Sequence, residues 1–334
     1  MSPTRLLLLL LPLLTLSLLQ PASAVLCHPE DKEVLLRIKS ALKNPSLLAS
    51  WKPDVDCCDW DCVVCDCLVC DSKSHRVIAL YFMQDDLPGQ IPSAIGDLTY
   101  LQNLALLELP NLSGPIPKSF TKLKYLQYLT LGSLNLTGPI PSFLGQLKNL
   151  TDLVLFFNKL TGSIPDSLST IPGLSAIFLD HNQLTGKIPA SLANLKDNGL
   201  NLVLSHNHLS GEIPATFAGV DFVRLDLSRN KLQGDASLVF GRSKKSTYDI
   251  DISWNEFEFN LSKAEFSKNL AYLDMNHNKI YGSIPKALKS VRSLNVSYNR
   301  LCGEIPVGGR LQSFNYTAYF HNRCLCGAPL ASCK

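Results

Sequence analysis

The chain has 334 residues, 46% of them hydrophobic, and a formal net charge of only +3 at pH 7. This balanced charge argues against nucleic acid as a partner, because phosphate binding normally leaves a strongly basic face. The length could hold two ordinary domains, but internal repetition predicts one elongated unit.

The N-terminus has the pattern of a secretory signal peptide. Arg5 precedes an apolar run over residues 6–19, and Ala22-Ser23-Ala24 offers small residues for cleavage. We therefore predict a signal peptide over 1–24 and a mature protein that begins at Val25. The run is shorter than the ~20 residues that span a bilayer, and no later stretch is long and apolar enough. We expect a secreted protein without a membrane span.

All eleven cysteines follow the predicted cleavage site and lie towards the two ends of the mature chain. This usage is typical of an oxidising compartment, and the ends of a solenoid need caps because they expose apolar edges. We predict an N-terminal cysteine-rich cap over 25–76 and a C-terminal cysteine cap over 307–334. The cysteines are Cys27, Cys57, Cys58, Cys62, Cys65, Cys67, Cys70, Cys302, Cys324, Cys326 and Cys333.

A short tandem duplication lies within the N-terminal cluster, where residues 61–65 are followed at once by the similar residues 66–70. Four cysteines at this spacing would suit a zinc site in a cytosolic protein, and a Cys-x-x-Cys could be a redox pair. Secretion and the cap position favour a structural disulfide with duplicated spare cysteines. Because eleven is odd, at least one thiol is unpaired or pairs between molecules.

Between the caps, residues 77–306 repeat a Leu-x-Gly-x-Ile-Pro pattern. The prolines of the Ile-Pro pair follow one another at intervals of 25, 24, 24, 24, 25, 71 and 21 residues. The interval of 71 holds about three units, so we count ten repeats. This period predicts an α/β leucine-rich-repeat solenoid, a right-handed superhelix with a concave parallel β-sheet. The prolines are Pro92, Pro117, Pro141, Pro165, Pro189, Pro214, Pro285 and Pro306.

Each repeat is predicted to open with a short strand whose alternate side chains enter the core, as for Leu153 and Leu155. An asparagine recurs just after the strand. An inward amide there can donate to and accept from backbone groups of the turn, so these residues are predicted to form a structural ladder. They are Asn158, Asn182, Asn207, Asn230, Asn255, Asn278 and Asn299.

The sequence contains no catalytic motif that we recognise, and we predict neither an enzyme nor a cofactor. His181, His206 and His277 share one repeat column just before the asparagine. A metal site would need neighbouring ligands and supporting groups, and the interposed Arg229 argues against one. Surface recognition is the favoured interpretation of this column.

The solvent-facing positions of the strands hold the informative variation. Asp226, Asp251 and Asp274 fall at equivalent positions of successive repeats, about 4.8 Å apart, where their charges repel. The functional interpretation is an acidic strip that binds a basic partner. The alternative is that these aspartates are ordinary surface residues, because a solvated face tolerates the cost of their repulsion. Exposed aromatic residues on the flanking columns are typical anchors of a protein interface. The flanking residues are Phe156, Phe157, Asp180, Trp254, Tyr272 and Tyr298.

Sequons together with secretion predict a glycoprotein. A sixth sequon, at Asn295, is disfavoured because its strand directs it into the concave face. The other five are predicted to lie outside the strands and to leave that face unshielded. They are Asn111, Asn135, Asn149, Asn260 and Asn315.

Both caps and the repeat resemble one family, the plant polygalacturonase-inhibiting proteins. The similar segments are DKEVLLRIKSALKNPSLLASW, DVDCCDW, LNVSYNRLCGEIPVGGRLQSF and FHNRCLCGAPLASCK. The resemblance implies a defence protein of the apoplast or cell wall, a monomer that binds fungal or insect endopolygalacturonases through its concave face and limits pectin degradation. Pectin itself is a further candidate partner.

The resemblance also implies site residues. Cap disulfides would join Cys27 to Cys57, Cys58 to Cys65 or a neighbour, Cys302 to Cys324, and Cys326 to Cys333. Candidate partner contacts, carried over by repeat position, are Asp152, Phe156, Asp180, His181, His206, Asp226, Arg229, Asp251, Trp254 and Asp274.

Two other functions fit the same architecture. A plant antifreeze protein would need a flat, regular and weakly charged surface, which the aspartates, Arg229 and bulky aromatics oppose. A soluble receptor-like ectodomain that binds a peptide is the other, and the lack of a transmembrane segment counts against a membrane receptor.

Overall fold

The computed structural model describes residues 27–60 and 68–334. The predicted signal peptide over 1–24 and the cysteines Cys62, Cys65 and Cys67 lie outside the described residues. Within the described part, no helix is long and apolar enough to cross a membrane.

The N-terminal cap is built on the α-helix Pro29–Ala41, which begins with proline at its first turn and buries one apolar face against the first repeat. Its buried Asp31 accepts hydrogen bonds from the Arg76 side chain at 2.7 and 3.0 Å and from the Val77 amide at 2.8 Å. These bonds tie the helix to the first strand of the solenoid. Trp51 is fully buried in this cap.

Disulfides close both caps, and one of them resolves a pairing that the sequence left open. Cys58, expected to pair with Cys65 or a neighbouring cysteine, is bonded to Cys70. The strand Leu68–Cys70 runs antiparallel to the first repeat strand, which brings the Cα atoms of Cys58 and Cys70 to 6.0 Å, a separation typical of a disulfide. The other described pairs are Cys27–Cys57, Cys302–Cys324 and Cys326–Cys333.

The predicted leucine-rich-repeat solenoid is confirmed. Its concave sheet has eleven strands, of which the first is antiparallel and the other ten, one for each repeat, are parallel neighbours in chain order. In that order the strands are Leu68–Cys70, Val77–Met83, Asn103–Leu107, Tyr128–Gly132, Asp152–Val154, Ala176–Phe178, Asn201–Val203, Arg224–Asp226, Asp249–Asp251, Tyr272–Asp274 and Ser293–Asn295.

After its concave strand, the chain forms further short strands, which make up a second, eight-stranded parallel sheet and a small three-stranded sheet. The second sheet comprises Gly89–Gln90, Leu112–Gly114, Asn135–Pro139, Lys159–Gly162, Gln183–Gly186, His208–Glu212, Lys231–Gly234 and Glu256–Phe257. The third comprises Tyr281–Gly282, Arg300–Glu304 and Cys324–Cys326.

Short 3₁₀ helices occur in the caps and along the convex side, and most of them start directly after the proline of an Ile-Pro pair, since proline favours the first helical turn. They are Ser46–Leu48, Cys57–Asp59, Ser93–Asp97, Lys118–Lys122, Ser142–Gln146, Asp166–Thr170, Ala190–Asn198, Ala215–Gly219, Ser237–Val239, Leu261–Lys263, Lys286–Ser290 and Tyr316–Ala318.

One continuous apolar core runs between the sheets and the 3₁₀ helices. The predicted asparagine ladder lines it. The Asn182 amide nitrogen donates to the carbonyls of Leu155 and Leu179 at 2.9 and 3.1 Å, and its Oδ1 accepts from Leu160 N–H at 3.0 Å. Since each asparagine bonds its own turn and the preceding coil, the ladder satisfies backbone groups that the tight turn leaves without partners.

Candidate functional site

The middle column of the concave face has the predicted register. Asp226 pairs with Val203 on one side and Asp251 on the other, and Asp274 follows Asp251. The three aspartates are therefore direct neighbours on adjacent strands, and we call them the acidic column. The full series is Tyr81, Ala105, Thr130, Val154, Phe178, Val203, Asp226, Asp251, Asp274 and Asn295.

The column borders an open cavity of about 590 Å³ on the concave side, which we call the concave groove. Nine of the ten predicted contact residues line it, and Asp152 is the exception. Asp152 lies on the same face but accepts a hydrogen bond from its neighbour Thr151 at 2.6 Å. The nine are Phe156, Asp180, His181, His206, Asp226, Arg229, Asp251, Trp254 and Asp274.

Each member of the acidic column has a local structural role. Asp226 and Asp251 use Oδ1 to accept the backbone N–H two residues further on, at 3.0 and 2.9 Å, and Asp274 does the same at 3.0 Å. Asn295 continues the pattern at 3.2 Å. An oxygen acceptor at this position satisfies a backbone donor where the strand ends, which is a reason for its recurrence that does not involve a partner.

The acidic column is less negative than three free carboxylates would be. Burial raises the pKa of Asp251 to about 7, and the neighbouring charges of Asp226 and Asp274 add to this effect. Burial also raises the pKa of Asp274. Protonation of these groups relieves the repulsion that the sequence predicted.

Sequence reasoning did not place Arg224 and Asp249 in the site. Both lie on the concave face, two residues before Asp226 and Asp251 in their strands. Since residues two apart in a strand point to the same face, this spacing could have predicted them from the sequence. The Arg224 Nε atom is 3.4 Å from Asp249 Oδ2, and its Nη2 is 3.9 Å from Asp226 Oδ2. Arg224 therefore neutralises part of the negative charge along one edge of the column.

The other edge is formed by residues in a left-handed backbone conformation. The residue before each ladder asparagine has φ of about +50° to +54°, although none is glycine. This conformation costs an L-residue roughly 1–2 kcal/mol, so the surrounding coils must hold it. We call the members from Phe157 onwards the stacked edge: Phe157, His181, His206, Arg229, Trp254, His277, Tyr298 and His321.

Rings along the stacked edge lie face to face. His181 stacks on Phe157 and on His206, with ring centroids 3.9 and 4.0 Å apart. Further along, Arg229 lies 4.6 Å over the Trp254 ring. The stack continues through His277 and Tyr298 to His321, at centroid distances of 3.7, 4.0 and 4.4 Å.

Two histidines of the stacked edge, His206 and His277, are harder to protonate than a free imidazole. Burial lowers the pKa of His206, and the nearby His181 and Arg229 lower it further. Burial and Arg229 also lower the pKa of His277. His181 is oriented by a contact of 3.0 Å between its Nδ1 and Asp180 Oδ2. Arg229 therefore provides a fixed positive charge between His206 and Trp254 on the stacked edge.

Within residues 27–60 and 68–334, metal-ligand geometry occurs only in the N-terminal cap. Among the described residues, one group of three candidate ligands lies close enough together to hold an ion: Cys27, Cys57 and Cys58. All three sulfurs are in disulfides. The histidines of the stacked edge belong to no such group.

The predicted glycan acceptors fall outside the concave strands. The side-chain nitrogens of Asn135 and Asn149 donate to backbone carbonyls of the preceding coil at 3.0 and 2.7 Å, and Asn111 bonds Asp86. Asn260 caps a 3₁₀ helix. Asn315 lines a cavity together with Trp254, so the expectation that all five sites leave the concave face unshielded is wrong for this one.

The parallel strand column, the asparagine ladder and the cysteine caps define a leucine-rich-repeat protein. Family models agree, with the leucine-rich-repeat N-terminal domain matching residues 28–66 and the Leucine Rich Repeat matching 149–171, 173–195, 200–220 and 269–291.

Comparison with known proteins narrows this class. The chain is 58% identical to Polygalacturonase inhibitor 2 of Arabidopsis thaliana over 98% of both chains. It is also 58% identical to the Polygalacturonase inhibitor of Pyrus communis over 97% of both. The chain belongs to the polygalacturonase inhibitor family. Among solved structures, it resembles a plant ice-binding protein at 49% identity and a TM-score of 0.88, covering 92% of this chain and 98% of that one.

Proposed function

We propose that this protein binds and inhibits endopolygalacturonases through the concave groove. The observation that carries the proposal is the groove itself, where nine of the ten contact residues implied by the family line one cavity. The chain is an inhibitor rather than an enzyme, so inhibition requires only that the bound protein obstructs the pectin-binding cleft of its partner.

The groove has the composition of an interface anchor. Trp254 is 42% exposed although it is stacked, and Arg229 lies over its ring. Partly exposed aromatic and arginine side chains held rigidly lose little entropy on binding and contribute most of the energy at interfaces. The acidic column, beside this edge, supports recognition of a basic surface through complementary charge.

The remaining parts of the proposal concern the setting. We infer secretion to the apoplast or cell wall after removal of residues 1–24, glycosylation, and action as a monomer against fungal or insect enzymes. The boundaries 25–76, 77–306 and 307–334 for the caps and the repeat array are part of the same proposal. Pectin stays a candidate partner.

The test is a titration of the purified glycoprotein into a panel of fungal and insect endopolygalacturonases, with release of reducing ends as the measurement. We expect inhibition of at least one enzyme. Trp254→Asn should weaken that inhibition, because asparagine tolerates the left-handed backbone but removes the ring. Lys187→Ala, at a residue that lines a separate cavity and not the concave groove, is the matched control and should inhibit normally. Equal inhibition by both variants would place the interface elsewhere.

Ice binding is the second candidate, favoured by the similarity to the plant ice-binding protein. The concave groove opposes it, because charged aspartates and protruding aromatic edges do not make a flat, weakly charged surface. Freezing-point measurements on the purified protein distinguish the two candidates. We expect no thermal hysteresis, and a measurable hysteresis would favour ice binding.

A further inference from the structure

A second cavity, of about 470 Å³, lies at the C-terminal end of the concave face, and we call it the C-terminal cavity. Its walls include the rings of Trp254, Tyr298 and Phe320 and the amide side chains of Asn276 and Asn295. Its lining contains no aspartate, glutamate, lysine or arginine. The volume falls within the ~300–1,000 Å³ typical of ligand pockets, and the chemistry suits an uncharged, partly apolar group with hydrogen-bonding atoms.

The rim of this cavity carries a sequon of the chain itself. Asn315 and Thr317 both line the cavity and belong to the sequon Asn315-Tyr316-Thr317. Asn315 caps the helix Tyr316–Ala318 by accepting the Thr317 N–H on its Oδ1 at 3.0 Å. An N-linked glycan is attached to Nδ2, so the modification leaves this cap intact.

The rings and amides of the cavity match the first sugar of such a glycan. The faces of N-acetylglucosamine present C–H groups that pack on aromatic rings, and its acetamido and hydroxyl groups bond amides and hydroxyls. Tyr298 is 38% exposed and meets Phe320 edge to face at 5.1 Å. A sugar joined to Asn315 starts at the rim of this surface, so it reaches the rings without the translational cost of a free ligand.

We propose that Asn315 carries an N-linked glycan and that its first sugar occupies the C-terminal cavity, packed against Tyr298 and Phe320. Trp254 and Asn276 line both this cavity and the concave groove. The glycan therefore borders the groove and limits how far a partner can extend towards the C-terminal cap. This proposal does not depend on the function proposed above.

Tryptophan fluorescence gives a direct test, because the chain has three tryptophans and two are shielded. Trp51 and Trp60 are 1% and 3% exposed, whereas Trp254 is 42% exposed. Quenching by acrylamide, a neutral quencher, thus reports mainly on Trp254. Two variants, Thr317→Ser and Thr317→Ala, are produced in a secretory host that glycosylates proteins, and their quenching is compared. The first variant keeps the sequon and the second destroys it. Mass spectrometry of glycopeptides establishes occupancy at Asn315.

We expect Asn315 to be occupied and the quenching constant to be roughly twofold lower in the sequon-retaining variant, because a sugar seated in the cavity covers part of the exposed Trp254 side chain. Enzymatic removal of the glycan from the wild-type protein should raise the constant to the level of Thr317→Ala, which keeps the test valid if that variant folds poorly. Asn149→Gln removes a sequon outside the cavity and should leave quenching unchanged. An unoccupied Asn315, or an occupied one with no change in quenching, would overturn the proposal.

Discussion

Asp226 and Asp251 are register neighbours on adjacent strands, and each holds the backbone N–H two residues further on with its Oδ1. The charge of Asp226 also disfavours ionisation of Asp251, because burial and Asp226 together raise the pKa of Asp251 to about 7. The acidic column therefore combines a structural role in the strand end with a charge that varies near neutral pH.

Replacing Asp226, Asp251 and Asp274 together by asparagine separates these two roles. Asparagine keeps the oxygen acceptor, as Asn295 already does, so the fold should persist while the charge is lost. We expect inhibition of a sensitive polygalacturonase to weaken by about tenfold and to become less dependent on salt, measured as inhibition constants at low and high ionic strength. The triple alanine variant is the contrast, since it loses the acceptors and should also unfold more easily. Unchanged inhibition by the asparagine variant would show that the charge of the column does not drive binding.

The raised pKa of Asp251 also makes stability depend on pH. The unfolded carboxyl titrates near 3.8 and the folded one at about 7, so between these values only the folded protein binds this proton. The contribution of this proton to the free energy of unfolding is complete below pH 3.8 and is lost as the pH rises towards 7. The reason is that the free energy of unfolding falls with rising pH wherever the folded state binds more protons than the unfolded state. We expect Asp251→Asn to have a flatter profile of unfolding free energy between pH 4 and 7 than the wild type, measured by urea unfolding. Parallel profiles for the two proteins would contradict the assignment.

The repeated features of this molecule could be predicted from sequence because each depends on a local pattern that recurs. The period of 24 residues sets the strand register, so Asp226, Asp251 and Asp274 were correctly placed side by side. The hydrogen bonds of Asn182 follow equally from its position after a strand. Repetition makes a single correct local inference hold across many coils.

Features that depend on exceptions to the repeat were not predictable in the same way. The tandem duplication offered several partners for Cys58, and only the antiparallel pairing of Leu68–Cys70 selects Cys70. The left-handed backbone at Trp254 was not inferred, because a bulky residue is uncommon there. The position of Asn315 beside Trp254 joins residues 61 apart in the sequence, which periodicity does not reveal.

The left-handed conformation at His206, with φ of +53°, predicts a contrast between two substitutions. Asparagine tolerates this region, whereas the β-branched valine does not. We expect His206→Val to lower the free energy of unfolding by about 1–2 kcal/mol relative to His206→Asn, measured by urea unfolding at one pH. Both variants lose the ring that stacks on His181, so that loss cancels in the comparison. Equal stability of the two variants would mean that the backbone relaxes at this position.

The asparagine ladder should contribute more to stability than any exposed neighbour. Asn182 is buried and bonds the carbonyls of Leu155 and Leu179 and the amide of Leu160. Asn182→Ala removes the side-chain acceptor of the Leu160 N–H, and a buried donor left without a partner costs about 1–3 kcal/mol. The Leu155 and Leu179 carbonyls each lose one donor but keep another, from Asn158 and Asn207. Gln183→Ala alters the adjacent exposed side chain and is the matched control, expected to change stability by less than about 0.5 kcal/mol. Because each coil of a solenoid contacts only its neighbours, hydrogen exchange in Asn182→Ala should increase most in the coils around residues 155–184. If the two variants unfold at the same urea concentration, the ladder is not the stabilising element that its hydrogen bonds imply.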